Sequence, residues 1–520
     1  MIDMLESLST PTPSFLWSCA GVATALGVLW YVESRRSAVR SVSQFPCPSK
    51  MHPLYGNLLD LVPWEDLVNA DVSQFNFCLN RLSQKCDDKD SFFRVHVYAP
   101  WFPLHRVMVI PRNADVVQEL LSAKHAPFLN KSKSYVPIKM YFGDGLLTNM
   151  GDVWKHSRKE VEKGFRLESL RYSAVAIGTL ADRLIERWLS NPLVYQDNWF
   201  DAKTDMLSFT FDVICEVGFG YDESVRKELT LESPHELFKT LNTGIGRIGR
   251  QGTDQLLMHI PFTPLNMSLR RAQRVLDGFI QKLIERRLEA LKVDRTAHHG
   301  TLIDAIVDID ADGNPVLPMK QMISEIKILM FAGHDTTANS LGWAIYLLTQ
   351  HPDSHRRLLE EIDQYLPNNK YPTFDDVESM PFLNGVIRET LRLFPPANAG
   401  RMPTRDLNIG GYQVKKGTEL FVFTAVLQRD PRYFENPDSF LPERWLPDST
   451  LHMERKAYLP FSLGPRNCVG MKLALLEERI LLVRLMQRLN FTYNSELGQP
   501  KWSFDLTTGP EAVMVKVSAK

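Results

Sequence analysis

The chain has 520 residues, 44% of them hydrophobic and 23% charged, with 60 Lys+Arg against 61 Asp+Glu and six cysteines. Those proportions exclude collagenous, disulfide-framework and wholly disordered chains, and a net charge of -1 gives no global footprint for nucleic acid, so no nucleic-acid partner is expected. Cys19, Cys47, Cys78, Cys86, Cys215 and Cys468 form no C-x-x-C pair, which points to a reducing compartment rather than to a zinc knuckle or a bridged scaffold.

Residues 14–32, SFLWSCAGVATALGVLWYV, carry no charge over nineteen positions, enough for a helix to cross a hydrocarbon core of about 30 Å. Asp3 and Glu6 precede this run and Arg35, Arg36 and Arg40 follow it, so the positive-inside rule predicts a lumenal 1–13, a single transmembrane anchor at 14–32 and a cytosolic body. A cleaved signal peptide is the alternative, but it would need a positive n-region and a small-residue cleavage site. A cytosolic body would leave the sequons at Asn130, Asn266 and Asn490 bare. Residues 33–56 read as a basic hinge whose prolines at 46, 48 and 53 favour extended chain, and 57–520 as one large domain.

Within that domain, strand-like stretches fall at 92–98 and 106–110, and later at 407–414, 419–423 and 513–517. Helix-period apolar spacing marks 272–291, 320–349, 382–393 and 471–489. Pro318 and Pro352 bracket a helix of about thirty residues, long enough to cross a whole core. Two motifs are set aside. Gly244-Ile-Gly246-Arg-Ile-Gly249 has the glycines of a dinucleotide fingerprint but follows a helical pattern and lacks the later acid, so it reads as a flexible surface connector. Asp308-x-Asp310-x-Asp312-Gly313 starts like a calcium loop, yet Met319 stands where a bidentate Glu is required, and a polar turn is expected.

The densest signal is Phe461-Ser-Leu-Gly464-Pro-Arg466-Asn-Cys468-Val-Gly470, leading straight into the helix at 471. A cysteine at a helix amino terminus has its thiolate favoured by the dipole and by free N–H groups, and suits a soft metal. Ordinarily a lone cysteine is a small core residue, but here glycines flank it and Arg466 adds a cation. Upstream, Ala332-Gly333-His334-Asp335-Thr336-Thr337 puts an acid beside an alcohol in the long helix, a pair able to relay protons, although such groups more often are solvated or bond to backbone.

These segments resemble the cytochrome P-450 family, the haem-thiolate monooxygenases, in its eukaryotic microsomal form: F-x-x-G-x-R-x-C-x-G at Phe461–Gly470, A-G-x-[DE]-T-[TS] at Ala332–Thr337, Glu389-Thr-Leu-Arg392, Pro442-Glu443-Arg444-Trp445 and Trp154-x-x-x-Arg158. The resemblance implies a mainly α fold with small β-sheets (α+β) and a long central helix over haem b, iron protoporphyrin IX. It implies Cys468 as the axial iron ligand in a turn built by Phe461, Gly464 and Gly470. Arg466, Trp154, Arg158 and Arg401 would meet the haem propionates, and Gly333 would let the flat group and O2 pack close. Thr336 would meet dioxygen and Asp335 would connect it to solvent. Glu389, Arg392 and Arg444 would form a buried structural triad. Trp445 departs from the family's Phe, and the hinge lacks its P-P-G-P run.

The implied activity is insertion of one oxygen atom of O2 into a lipophilic substrate of the fatty-acid, sterol or terpenoid class, at the endoplasmic reticulum membrane. Electrons would come from an NADPH-dependent cytochrome P-450 reductase, with cytochrome b5 as a second donor. Lys155, Lys159, Lys163 and Lys472 would steer such an acidic partner. The segments 115–137, 329–332, 397–399 and 506–509 would line the substrate pocket. A haem-dependent isomerase or dehydratase of oxidised lipids on the same fold, and a non-enzymatic haem carrier or sensor, are the alternatives; the acid–alcohol pair counts against both.

Overall fold

The computed structural model describes residues 40, 42–49, 57, 75–98, 105–191, 198–221, 225, 234–250, 258–294 and 301–520. The anchor expected at 14–32 lies outside them. Among the described residues no helix is long and apolar enough to cross a membrane.

Helices dominate. Those that bear on the site are α1 (Val136–Phe142), α2 (Gly151–Glu162), α3 (Leu167–Ser190), α4 (Ala202–Val213), α5 (Pro234–Arg250), α6 (Pro264–Val293), α7 (Met319–Gln350), α8 (Pro381–Leu393) and α9 (Met471–Arg488). The axis of the fold is α7, 32 residues or roughly 48 Å at the α-helical rise. Pro318 caps it, where a missing N–H costs nothing, and Pro352 forces His351 out of helical geometry at the other end. Side chains from Met322 to Leu348 are buried on nearly every face, the pattern of a helix wrapped by others. One core gathers α3, α4, α6, α7, α8 and α9.

A second, smaller core lies under a five-stranded sheet. Its strands are β1 (Phe92–Tyr98), β2 (His105–Pro111), β3 (Leu129–Lys131), β4 (Ala399–Pro403) and β5 (Leu420–Val422), in the order β1-β2-β5-β4-β3. All pairings are antiparallel except β2 with β5. The register of β3 on β4 sets Lys131 directly opposite Arg401. The stretch predicted as one strand at 407–414 is a hairpin of two, Leu407–Ile409 and Tyr412–Val414, turned by Gly410 and Gly411 at positive φ.

The reading of 244–249 as a surface connector is corrected: those glycines lie inside α5. Glycine lowers helix propensity, but a Cβ on Gly244 would stand 2.6 Å from Leu269 Cδ2, so its absence is what lets α5 lie against α6. At 308–313 the chain makes a polar turn in which Asp310 Oδ1 accepts from the N–H groups of Asp312 and Asn314. Asn266 is buried, its amide donating to the carbonyls of Met258 and Ile260 and accepting from Tyr141, so this sequon is closed to modification in the folded chain.

Candidate active site

The segment 461–470 folds back on itself before α9 begins. Ser462 and Gly464 take positive φ of 61° and 70°, and a Cβ on Gly464 would overlap the carbonyl oxygen of Leu121. The Cys468 N–H then donates to Phe461 O at 2.9 Å, which closes the turn and leaves the cysteine exposed at the head of α9. Surrounding protein raises the thiol pKa, while the Gly470 N–H and the charge of Arg158 pull it back toward the thiolate. Gly470 caps α9 and leaves ordinary van der Waals room toward Phe165.

Beside this turn stands a group of cations. Arg466 stacks on the Trp154 ring at 3.9 Å and donates to Asn149 O at 2.9 Å. Its pKa is pushed down to about 10 by burial, with Arg401 and Arg158 adding repulsion. Arg401 donates to Gly400 O at 3.0 Å. Lys131, which the sequence analysis did not single out, lies across the strand pair from Arg401, and burial, then Arg401 and Arg466, hold its ammonium well below the usual lysine range. Among the described residues, local relief comes from the Tyr135 ring, 4.5 Å away. No carboxylate of the described residues forms an ion pair with Lys131, Arg401 or Arg466. Three like charges gathered without a counterion are costly alone and suit an anionic group between them.

Arg158 has other partners. Its guanidinium donates to Asn467 O and Oδ1 at 2.6 and 2.8 Å and to Glu162 at 2.5 Å. It therefore clamps α2 to the cysteine turn. Gly333 also has a close protein neighbour. A Cβ there would stand 2.9 Å from Ile214 Cγ1, so this glycine serves the close approach of α7 to the π-turn that ends α4.

The open face of α7 is instead carried by Ala332, exposed in the middle of a buried helix, with Thr336 one turn on and half-buried. The Thr336 hydroxyl donates to Ala332 O at 2.8 Å. Asp335 is buried. Its carboxylate accepts from the Thr507 hydroxyl and, at 3.3 Å, from the amide of Asn242 on α5. The turn around Thr507 is tied in turn to the chain after α8, because Thr508 donates to Pro395 O and Pro396 O at 2.8 Å each. Of the segments expected to line a pocket, 507–509 pack against α7 at Asp335 and Asn339, whereas much of 115–121 is packed into the small core beneath the sheet.

Glu389, Arg392 and Arg444 meet out of solvent. Arg392 donates to both Glu389 oxygens at 2.9 and 2.7 Å and Arg444 to one at 3.3 Å. Trp445 adds its indole N–H at 2.9 Å, a bond the family's phenylalanine cannot make.

A thiol turn at the head of α9, which packs on the long central helix α7 of a mainly helical fold with small sheets, is the arrangement a haem-thiolate protein requires. The chain belongs to the cytochrome P450 family, whose profile matches residues 46–517. It is 26% identical over 508 residues to cytochrome P450 4V2 of Rattus norvegicus, covering 95% of this chain and 93% of that protein. It is 27% identical over 409 residues to cytochrome P450 3A14 of Cavia porcellus, covering 77% and 79%. The solved structure titled crystal structure of cytochrome P450DA heme domain matches with a TM-score of 0.72 at 21% identity, over 92% of this chain and 98% of that one. Members of this family are haem-binding monooxygenases. The residues present fit that group: a thiol for the iron, cations that no carboxylate of the described residues neutralises for the propionates, and a helix face kept flat by Ala332.

Proposed function

We propose that this protein is a membrane-anchored haem-thiolate monooxygenase that inserts one atom of O2 into a lipophilic substrate of the fatty-acid, sterol or terpenoid class, using electrons from an NADPH-dependent reductase. Its domain stands on the cytosolic side of the endoplasmic reticulum membrane, held by residues 14–32. The observation that carries this reading is the exposed Cys468 thiol two residues after Arg466, which shares with Lys131 and Arg401 a group of cations that no carboxylate of the described residues neutralises.

Haem b, when bound, supplies one-electron chemistry and dioxygen activation that no side chain provides. Cys468 would hold it as a thiolate, with the Gly470 N–H and Arg158 favouring the charged sulfur against the desolvation imposed by the surrounding protein. Arg401, Arg466 and Lys131 would pair with the propionates, which relieves their mutual repulsion. The Thr336 hydroxyl would present a proton at the open face of α7, and Asp335 would replace it. Small and apolar residues expected to line the pocket, Ala332, Ala397 and Leu506 among them, suit a lipophilic ligand rather than a charged one.

Oxygen consumption by the purified protein with NADPH, a P-450 reductase and a panel of fatty acids, sterols and terpenoids tests this directly. Consumption that tracks hydroxylated product is expected. Turnover of a lipid hydroperoxide without NADPH or reductase would instead identify an isomerase or dehydratase.

A further inference from the structure

Asp335 lies one position before Thr336, yet among the described residues the hydrogen-bond donors to its carboxylate, Asn242 and Thr507, come from elsewhere in the chain. Each partner is oriented by a further bond. Asn339, one turn along α7, donates to Thr507 Oγ at 3.1 Å, so the Thr507 hydrogen is left to point at Asp335. The Leu506 N–H donates to Asn242 Oδ1 at 3.0 Å, which fixes the amide with its nitrogen toward the same carboxylate. The turn comes this close only because residue 509 is glycine, where a Cβ would overlap the Asn339 amide. Phe238, one turn before Asn242 on α5, packs its ring 5.0 Å from that of His334, so α5 touches two adjacent residues of the acid–alcohol motif.

We propose that Asn242 and Thr507 are positioning residues for proton delivery. They hold the Asp335 carboxylate in one orientation relative to Thr336, and through Asn242 they make that orientation depend on the packing of α5. The inference rests on the reading of Asp335 and Thr336 as the acid–alcohol pair. Lys203 stands near the same carboxylate and is drawn toward Asp335, Asp201 and Asp505, although burial lowers its pKa overall. The 505–507 turn thus joins the buried acid to a charged group nearer the surface. A buried carboxylate with two oriented donors has little freedom to turn. Losing one donor leaves it free to swing, and a misaligned proton relay lets reducing equivalents escape as peroxide.

The test compares Thr507→Val, Thr507→Ser and Asn242→Leu in the full-length holoprotein. Thr507→Val and Asn242→Leu should lower product formed per NADPH by at least about threefold and raise the solvent isotope effect on product formation, with the reduced CO spectrum unchanged. Thr507→Ser, which keeps the hydroxyl, should restore both. Independently of turnover, amide exchange of residue 506 should accelerate in Asn242→Leu, since its acceptor is gone. Full coupling in Thr507→Val, equal loss in Thr507→Ser, or unchanged exchange in Asn242→Leu would each overturn the proposal while leaving the monooxygenase reading intact. Should Asn242→Leu fail to fold, the Thr507 pair decides alone. A wild-type protein that never couples NADPH to oxygenation would remove both.

Discussion

Trp445 shows what a single departure from a motif can do. Glu389 sits out of solvent with bonds from Arg392, Arg444, the Leu441 N–H and the Trp445 indole, so nearly every lone pair of the carboxylate is used. Trp445→Phe removes one donor and leaves part of a buried charge unsatisfied. We expect a loss of about 1–3 kcal/mol in denaturant unfolding, against about 3–5 kcal/mol for Glu389→Ala, which strands two guanidiniums. Equal stability of Trp445→Phe and wild type would show the indole bond to be redundant. Residues such as Cys468, Glu389 and Arg392 were legible in the sequence because their partners or flanking glycines lie within a few positions. Lys131 and Thr507 fell inside the expected pocket segments 115–137 and 506–509 without a role of their own, and Asn242 was not anticipated. Lys131 matters only through a strand register that sets it against Arg401, and Asn242 only through a helix packed across α7.

Elements bounded by proline or fed by strong periodicity were read closely, as α7 and α8 show. The failure at α5 has a physical cause: its glycines argue locally for a loop, and only contact with α6 reverses that. A charge pattern was equally hidden in α9, where Glu477 and Glu478 lie buried among leucines behind the cysteine turn. Burial pushes the Glu478 carboxyl up to about 8, with a bond from Ser340 holding it lower than burial alone would; Glu477 is raised well above the usual range by burial and by its neighbour. Both raised acids favour the protonated folded state. Their contribution is present below the usual carboxylate pKa and is lost as pH rises toward 8, by up to about 1.4 kcal/mol per pH unit for each proton. Thermal unfolding between pH 6 and 8 should therefore show a falling Tm, and Glu478→Gln should flatten that slope. An identical slope in the variant would mean that this carboxyl does not titrate with unfolding.

For the molecule as a whole, membership of the cytochrome P450 family implies a redox partner, and a docking surface near Cys468 is the place we propose for it. Of the four lysines expected to steer a partner, Lys155 is paired with Asp152 at 2.8 Å and Lys163 with Glu160. Lys159 and Lys472 are exposed on α2 and α9. Lys159→Glu with Lys472→Glu should lower reductase-supported turnover several-fold at low ionic strength, with the gap closing in high salt and the haem spectrum unchanged. Unaltered turnover would place the docking surface elsewhere. All of this depends on one bond. The reduced protein should give a strongly red-shifted Soret band on adding CO, and Cys468→Ser should lose that shift. Haem bound by the wild-type protein without the shift, or a shift that survives in Cys468→Ser, would contradict thiolate ligation by Cys468.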